Sequence, residues 1–171
     1  MFSVSFLILA VLGASAHLLL SRKPKTAHRI ISILLLYLLA INVGVGGLFG
    51  FMGHTFRADQ VAQSIGWASG SPFQFEIAVS NLAFGILGIL CIWIRENFWI
   101  ATGLGSSIFA LGAAYGHIRD ITVNQNLAIY NAGPILWVGD ILIPLLIISL
   151  LILLKTSSKH ESVSSSASIK I

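Results

Sequence analysis

Charge is what this sequence has least of. Asp, Glu, Lys and Arg make up 9% of its 171 residues, where a soluble domain carries about 25%. A chain kept in water by a charged surface is thereby excluded. Cysteine is nearly absent as well: Cys91 stands alone, which rules out an intrachain disulfide and any paired-cysteine metal or redox motif and leaves packing as its role. There is no HExxH pattern, no basic patch interleaved with aromatics, and no repeat of the kind that builds the inverted halves of a transporter. Nucleic acid is set aside as a partner.

What the chain has in abundance is apolar length. Hydrophobic residues make up 56% of it and its mean hydropathy is +0.92. Five runs, 2–20, 30–52, 75–94, 98–115 and 135–154, are each long enough to cross about 30 Å of hydrocarbon at about 1.5 Å per helical residue. They predict an all-α integral membrane bundle of five transmembrane helices over 1–155, with the lipid bilayer as its first partner and no length left for a soluble domain. Beyond it, 156–171 reads "TSSKHESVSSSASIKI". That Ser-rich segment has too little apolar surface to offset the entropy of ordering, so a disordered cytoplasmic tail is expected.

The basic residues predict an orientation. Eight of the ten Lys and Arg fall on one side: Arg22, Lys23, Lys25 and Arg29 between the first two runs, Arg95 between the third and fourth, and Lys155, Lys159 and Lys170 after the fifth. Arg57 and Arg119 fall on the other. Because cytoplasmic loops collect Lys and Arg, the amino terminus is expected outside and the carboxyl terminus in the cytoplasm, in a multi-pass protein of a bacterial cytoplasmic (inner) membrane. The formal charge of +4 then reads as topology and contact with anionic lipid. The first run contains "GASA" at 13–16, spaced like a signal-peptide cleavage site. No Lys or Arg precedes that run and a basic cluster follows it, so it is expected to remain as a span.

Helical spacing sorts each run into faces. Asn42, Gly46, Gly50 and Gly53 share one side of the second run and predict a packing seam holding one amide. In the fourth run, Thr102, Ser106, Ala110, Ala113 and His117 lie in one sector and Leu104, Ile108, Leu111 and Tyr115 lie opposite, toward lipid. "GAAYG" at 112–116 is a GxxxG match, expected to pack inside the monomer rather than to dimerise. Between runs, 57–67 predicts a short interfacial helix with Trp67 at headgroup depth, and the Asn-rich 118–133 predicts either a solvated connector or a lid.

The stretch "GSPFQFEIAVSN" at 70–81 places polar chemistry at the start of the third run. Ser71, Pro72 and Gln74 form a capping-box pattern. Glu76, just over a turn inside, benefits there from the positive end of the helix dipole, which makes an interfacial glutamate one reading. Depth gives another. Asn81 stands five residues further in, Asp140 five past the start of the last run, Asn42 in the same outer half, and His54 and His117 at the outer ends. A carboxylate such as Asp140 costs about 2.5 to 3.5 kcal/mol at a helix centre and less toward the interface, so it requires a partner in protein or water. His117, Arg119, His54, Asn42 and Asn81 are the candidates, and Pro144 deprives the Asp140 carbonyl of its helical donor.

These residues predict an outward-facing polar vestibule built from Glu76, Asn81, Asp140 and His117, with Asn42 and His54 around it. Three readings stay open. In the first, the groups satisfy one another and pin the register of a structural or accessory subunit of a membrane complex. In the second, they bind, and move, a small polar or amphipathic ligand or a proton. Glu76 and Asp140 then supply negative charge or proton exchange, His117 a proton partner near neutral pH, and Asn42 and Asn81 orienting hydrogen bonds. The third is a membrane oxidoreductase or lipid-modifying enzyme. No catalytic residue and no cofactor is assigned; His117 and Asp120 in "HIRD", with Glu76, come nearest to a metal set but lack a supporting motif.

The segments "IGWASGSPFQFEIAVSNLAFGILGIL" (65–90), "YGHI" (115–118) and "GDILIP" (139–144) resemble a family of small bacterial multi-pass membrane proteins catalogued only as a domain of unknown function. The resemblance implies the same polytopic architecture and brings no activity, substrate or cofactor. Glu76, Asn81, His117 and Asp140 are among the residues that carry it. A looser similarity to small bundles of the DoxX type, linked to redox and quinone biology, rests on size and span count and carries no assignment.

Overall fold

The computed structural model describes the backbone of residues 2–168 and side chains as far as Ser157. Most of the side chains in the expected tail 156–171 lie outside the described residues. Eight α-helices and two π-helical stretches succeed one another: α1 (Phe2–Leu20), α2 (Ala27–Tyr37), π1 (Leu38–Val45), α3 (Gly46–Phe56), α4 (Ala58–Ile65), α5 (Phe73–Leu90), α6 (Asn97–Asn124), α7 (Ile129–Ala132), π2 (Ile135–Leu142) and α8 (Ile143–Ser168). Among the described residues there is no strand. Five helices are long and apolar enough to cross a membrane: Phe2–Leu20, Ala27–Phe56, Phe73–Leu90, Asn97–Asn124 and Ile129–Ser157.

Local chemistry sets the ends. Thr26 caps α2 by accepting the Arg29 backbone N–H at 3.3 Å. The Arg29 guanidinium turns back to donate to the carbonyls of Lys23 and Pro24 and to Ser21 Oγ, which fastens the first basic connection onto the helix it precedes. α4 is closed by Gly66 at φ +86°, where a side chain would be strained and would also collide with Asn126. The capping box expected at the start of α5 does not form. Gln74 is buried and its Nε2 donates instead to the Ala58 carbonyl at the start of α4, a partly buried acceptor.

The second and third spans make the tightest contact in the bundle, through glycines that the face analysis did not choose. A Cβ on Gly47 would lie 2.7 Å from the Asn81 carbonyl oxygen and 2.8 Å from Gly85 Cα, and one on Gly44 would lie 2.9 Å from the Ile89 backbone nitrogen. The seam is thus Gly44 and Gly47 against Gly85 and Gly88. The stripe of Asn42, Gly46, Gly50 and Gly53 instead lines a cavity. The π-helical stretch through Asn42 explains the misreading: one turn there spans more residues than the 3.6 on which the face was drawn.

The α6 face is as expected on its bulky side, with Leu104, Ile108 and Tyr115 exposed. Its GxxxG pair is not packed inside the monomer, since a Cβ on Gly112 or Gly116 meets nothing within 4 Å. The connection expected over 118–133 is largely helical too: α6 runs on to Asn124 and α7 occupies 129–132. α5 stops at Leu90, short of the expected end at 94, where Cys91 turns its carbonyl to the Trp99 indole at 2.8 Å. Those two residues join Leu35, Leu38, Leu39, Ile143, Ile147 and Leu151 in a solid apolar core. Beside that core lies a cavity, and Ile143 and Ile147 belong to both.

Candidate functional site

Residues from all five spans and from α4 and α7 surround a cavity of about 330 Å³, a volume at the lower end of small-molecule sites. Its wall is mostly aromatic and aliphatic, with Phe2 and Phe6 on α1, Phe49 on α3, Phe84 on α5, Phe109 on α6 and Tyr130 on α7. Two ring pairs flank it: Phe2 and Phe49 with centroids 4.5 Å apart, and Phe84 and Phe109 at 5.5 Å. Trp67 is part of the wall as well and packs on Phe73 at 6.3 Å.

Polar groups enter this wall at few places. Asn42 projects from π1 and Asp140 from π2, so each π-helical stretch delivers one polar residue to the same space. Such stretches are frequent at functional sites because the wide turn re-aims a side chain that an α-helix would point elsewhere. For π2, Pro144 supplies part of the cause, since it has no N–H to continue the regular ladder. His54 reaches the cavity from α3, Asn81 from α5 and His117 from α6.

The pairing of these groups is uneven. Asn81 Nδ2 donates to the Ile77 carbonyl at 2.9 Å within its own helix. Ser107 Oγ donates to the Pro144 carbonyl at 3.4 Å. By contrast, both amide atoms of Asn42, Nδ1 of His54 and Oδ2 of Asp140 are buried without a hydrogen-bond partner among the described residues. A buried polar group left unpaired is unfavourable by about 1–3 kcal/mol. Several around one void are unusual for an interior that serves packing alone.

The chain belongs to DUF6790, a family of unknown function. The match to that family runs over residues 1–160. No curated protein and no solved structure matches the chain.

His117 and Asp140 form its one close titratable pair among the described residues, with Nε2 and Oδ2 3.8 Å apart and 13% and 18% of the two side chains exposed. The other ring nitrogen is fixed by Asn131. That residue is completely buried, donates from Nδ2 to the Asn126 carbonyl at 2.6 Å, and so turns Oδ1 to His117 Nδ1, also at 2.6 Å. Nδ1 must carry the hydrogen of that bond, which leaves Nε2 as the atom that gains or loses a proton opposite the carboxylate. With one proton on either Nε2 or the Asp140 carboxyl the pair is neutral.

From Asn131 the network continues outward. Asn126 donates from Nδ2 to Asp120 Oδ2 at 2.6 Å and to the Ile65 carbonyl of α4 at 2.9 Å, and Asn124 donates to Asp120 Oδ1 at 2.6 Å. A chain of hydrogen bonds thus joins His117 to Asp120 at the end of α6 and to the Ile65 carbonyl of α4. Sequence reasoning missed Asn126 and Asn131, for nothing in the spacing of "NLAIYN" says which amide turns inward.

Glu76 is not part of the site. It is exposed, does not line the cavity, and lies on the outer face of α5 with Val79, Ala83 and Ile86, while Ile77, Asn81 and Phe84 face inward. The suggested set of Glu76, His117 and Asp120 is accordingly not assembled, and Asp120 is engaged with two asparagines. Replacement of Glu76 by Gln is expected to change stability by no more than about 0.5 kcal/mol. Thermal unfolding of the purified protein in detergent measures this.

Proposed function

We propose that this membrane protein binds a small amphipathic ligand in the cavity between its five spans and exchanges a proton through His117 and Asp140. The observation that carries the reading is that Asn42, His54 and Asp140, each with a buried polar atom lacking a hydrogen-bond partner among the described residues, all line one cavity with an aromatic wall. An apolar wall with a few oriented polar groups suits a ligand with an apolar body and a polar end. The distribution of Lys and Arg favours an orientation in which the cavity faces outward and the basic connections face the cytoplasm of a bacterium. A second reading, an accessory subunit of a membrane complex, is favoured by the open α6 face around Gly112 and Gly116, where another helix could approach closely.

The test is a screen of small amphipathic molecules by thermal shift, with wild type, Ala113→Phe and Asp140→Asn in parallel. Ala113 lines the cavity, and Phe there occupies part of it. Compounds that occupy the site at a hundredfold excess over Kd stabilise wild type by about 2.7 kcal/mol. The shift is expected to disappear in Ala113→Phe and to weaken in Asp140→Asn, with both variants folded. Equal shifts in all three proteins, or none in wild type, would contradict the reading.

A further inference from the structure

We infer that the cavity selects organic cations, in the form of a protonated amine on an apolar body, and takes each one up in exchange for the proton held by His117 or Asp140. The inference rests on the binding site proposed above and adds the class of its ligand.

Sign of charge is the first argument. Asp140 is the one carboxylate lining the cavity, and among the described residues no Lys or Arg lines it. The titratable groups that face it are Asp140 on π2, His117 on α6, His54 on α3 and Tyr130 on α7. An anion would find no fixed positive charge there. The second argument is the wall: the Phe2 and Phe49 pair and the Phe84 and Phe109 pair line the cavity, and aromatic rings attract cations. The third is the carboxylate itself: Asp140 Oδ2 is buried without a hydrogen-bond donor among the described residues, and an ammonium group brings donors and no acceptor.

Charge balance requires the exchange. With one proton on either His117 Nε2 or the Asp140 carboxyl the pair is neutral, and adding a cation would leave a net positive charge in a low-dielectric interior, where it is strongly disfavoured. As the ammonium N–H groups reach the carboxylate, the proton leaves for water and His117 remains neutral, with Nδ1–H still bonded to Asn131. One positive charge enters and one leaves.

The test uses the purified full chain in a non-ionic detergent, with 2-phenylethylamine and dodecylamine beside 2-phenylethanol and dodecanol, pairs that differ chiefly in charge. Isothermal titration is expected to show each amine binding about tenfold or more tighter than its alcohol, the advantage of a charge-assisted over a neutral hydrogen bond. Heats should change with the ionisation enthalpy of the buffer, as proton release requires. The amine advantage and the buffer dependence should both vanish in Asp140→Asn and both persist in His117→Gln, where the carboxyl alone holds the proton, and the buffer dependence of wild type is a readout that needs no variant to fold. Alcohols that bind as well as their amines would overturn the cation class and leave the ligand site standing. Amine binding without proton release would overturn the exchange. No binding by any probe would overturn the cation class too, and the Ala113→Phe screen then judges the binding site separately.

Discussion

Gly47→Leu is expected to prevent the bundle from assembling. At this position even a single Cβ would lie 2.7 Å from the Asn81 carbonyl oxygen and 2.8 Å from the Gly85 backbone, and these neighbours are main chain of a helix that cannot turn aside as a side chain can. Inserting extra groups into a well-packed core is unfavourable by about 1–3 kcal/mol when side chains can adjust. With backbone on both sides the second and third spans must separate. Separation also breaks the neighbouring contacts of Gly44 with Gly88, so the loss should be large against a total stability of about 5–15 kcal/mol. Gly112→Leu is the control, since a Cβ there meets nothing within 4 Å. Size-exclusion profiles and thermal midpoints in detergent are expected to show Gly47→Leu aggregated or unfolded and Gly112→Leu close to wild type. A Gly47→Leu protein with a wild-type midpoint would mean that the seam is looser than these distances require.

Asn131→Leu is expected to lower stability by about 1–3 kcal/mol, because it leaves two partly buried groups unpaired. The groups are the Nδ1–H of His117 and the carbonyl of Asn126, both within 2.6 Å of the Asn131 amide. Leu keeps the number and branching of the Asn side-chain heavy atoms. The loss should spread along the network, since Asn126 also holds the α4 carbonyl of Ile65. Hydrogen exchange should therefore quicken in α4 (Ala58–Ile65) as well as around α7. Unaltered exchange in α4 would show that the network does not fasten it.

Much of this architecture is legible in the sequence, for reasons particular to membranes. The spans are set by apolar length, and α1 begins and ends where the apolar run does. The exposed bulky face of α6 is set by a regular 3.6-residue period. The errors cluster where that period fails or where a contact is long-range. Two π-helical stretches rotate the helical residues beyond them, so Asn42 and its glycines look like a seam and prove to be cavity wall. Gln74 looks like a cap and bonds to a carbonyl on another helix, an acceptor invisible to local spacing. Of the six candidate site residues, Asn42, His54, Asn81, His117 and Asp140 meet at one cavity. Glu76 shares their depth alone, and depth does not say which way a side chain faces.

The same substitution at two asparagines separates the two roles a buried amide can have. Asn131 is fully paired; Asn42 has neither amide atom paired among the described residues. If the cavity groups are kept for a ligand, Asn42→Leu removes a buried, unpaired amide worth about 1–3 kcal/mol of instability. Its thermal midpoint in ligand-free detergent should then rise above wild type, while Asn131→Leu falls and the response of Asn42→Leu to cavity ligands is lost. An Asn42→Leu midpoint that drops as far as that of Asn131→Leu would contradict the account and make the polar groups of the cavity the glue of the bundle.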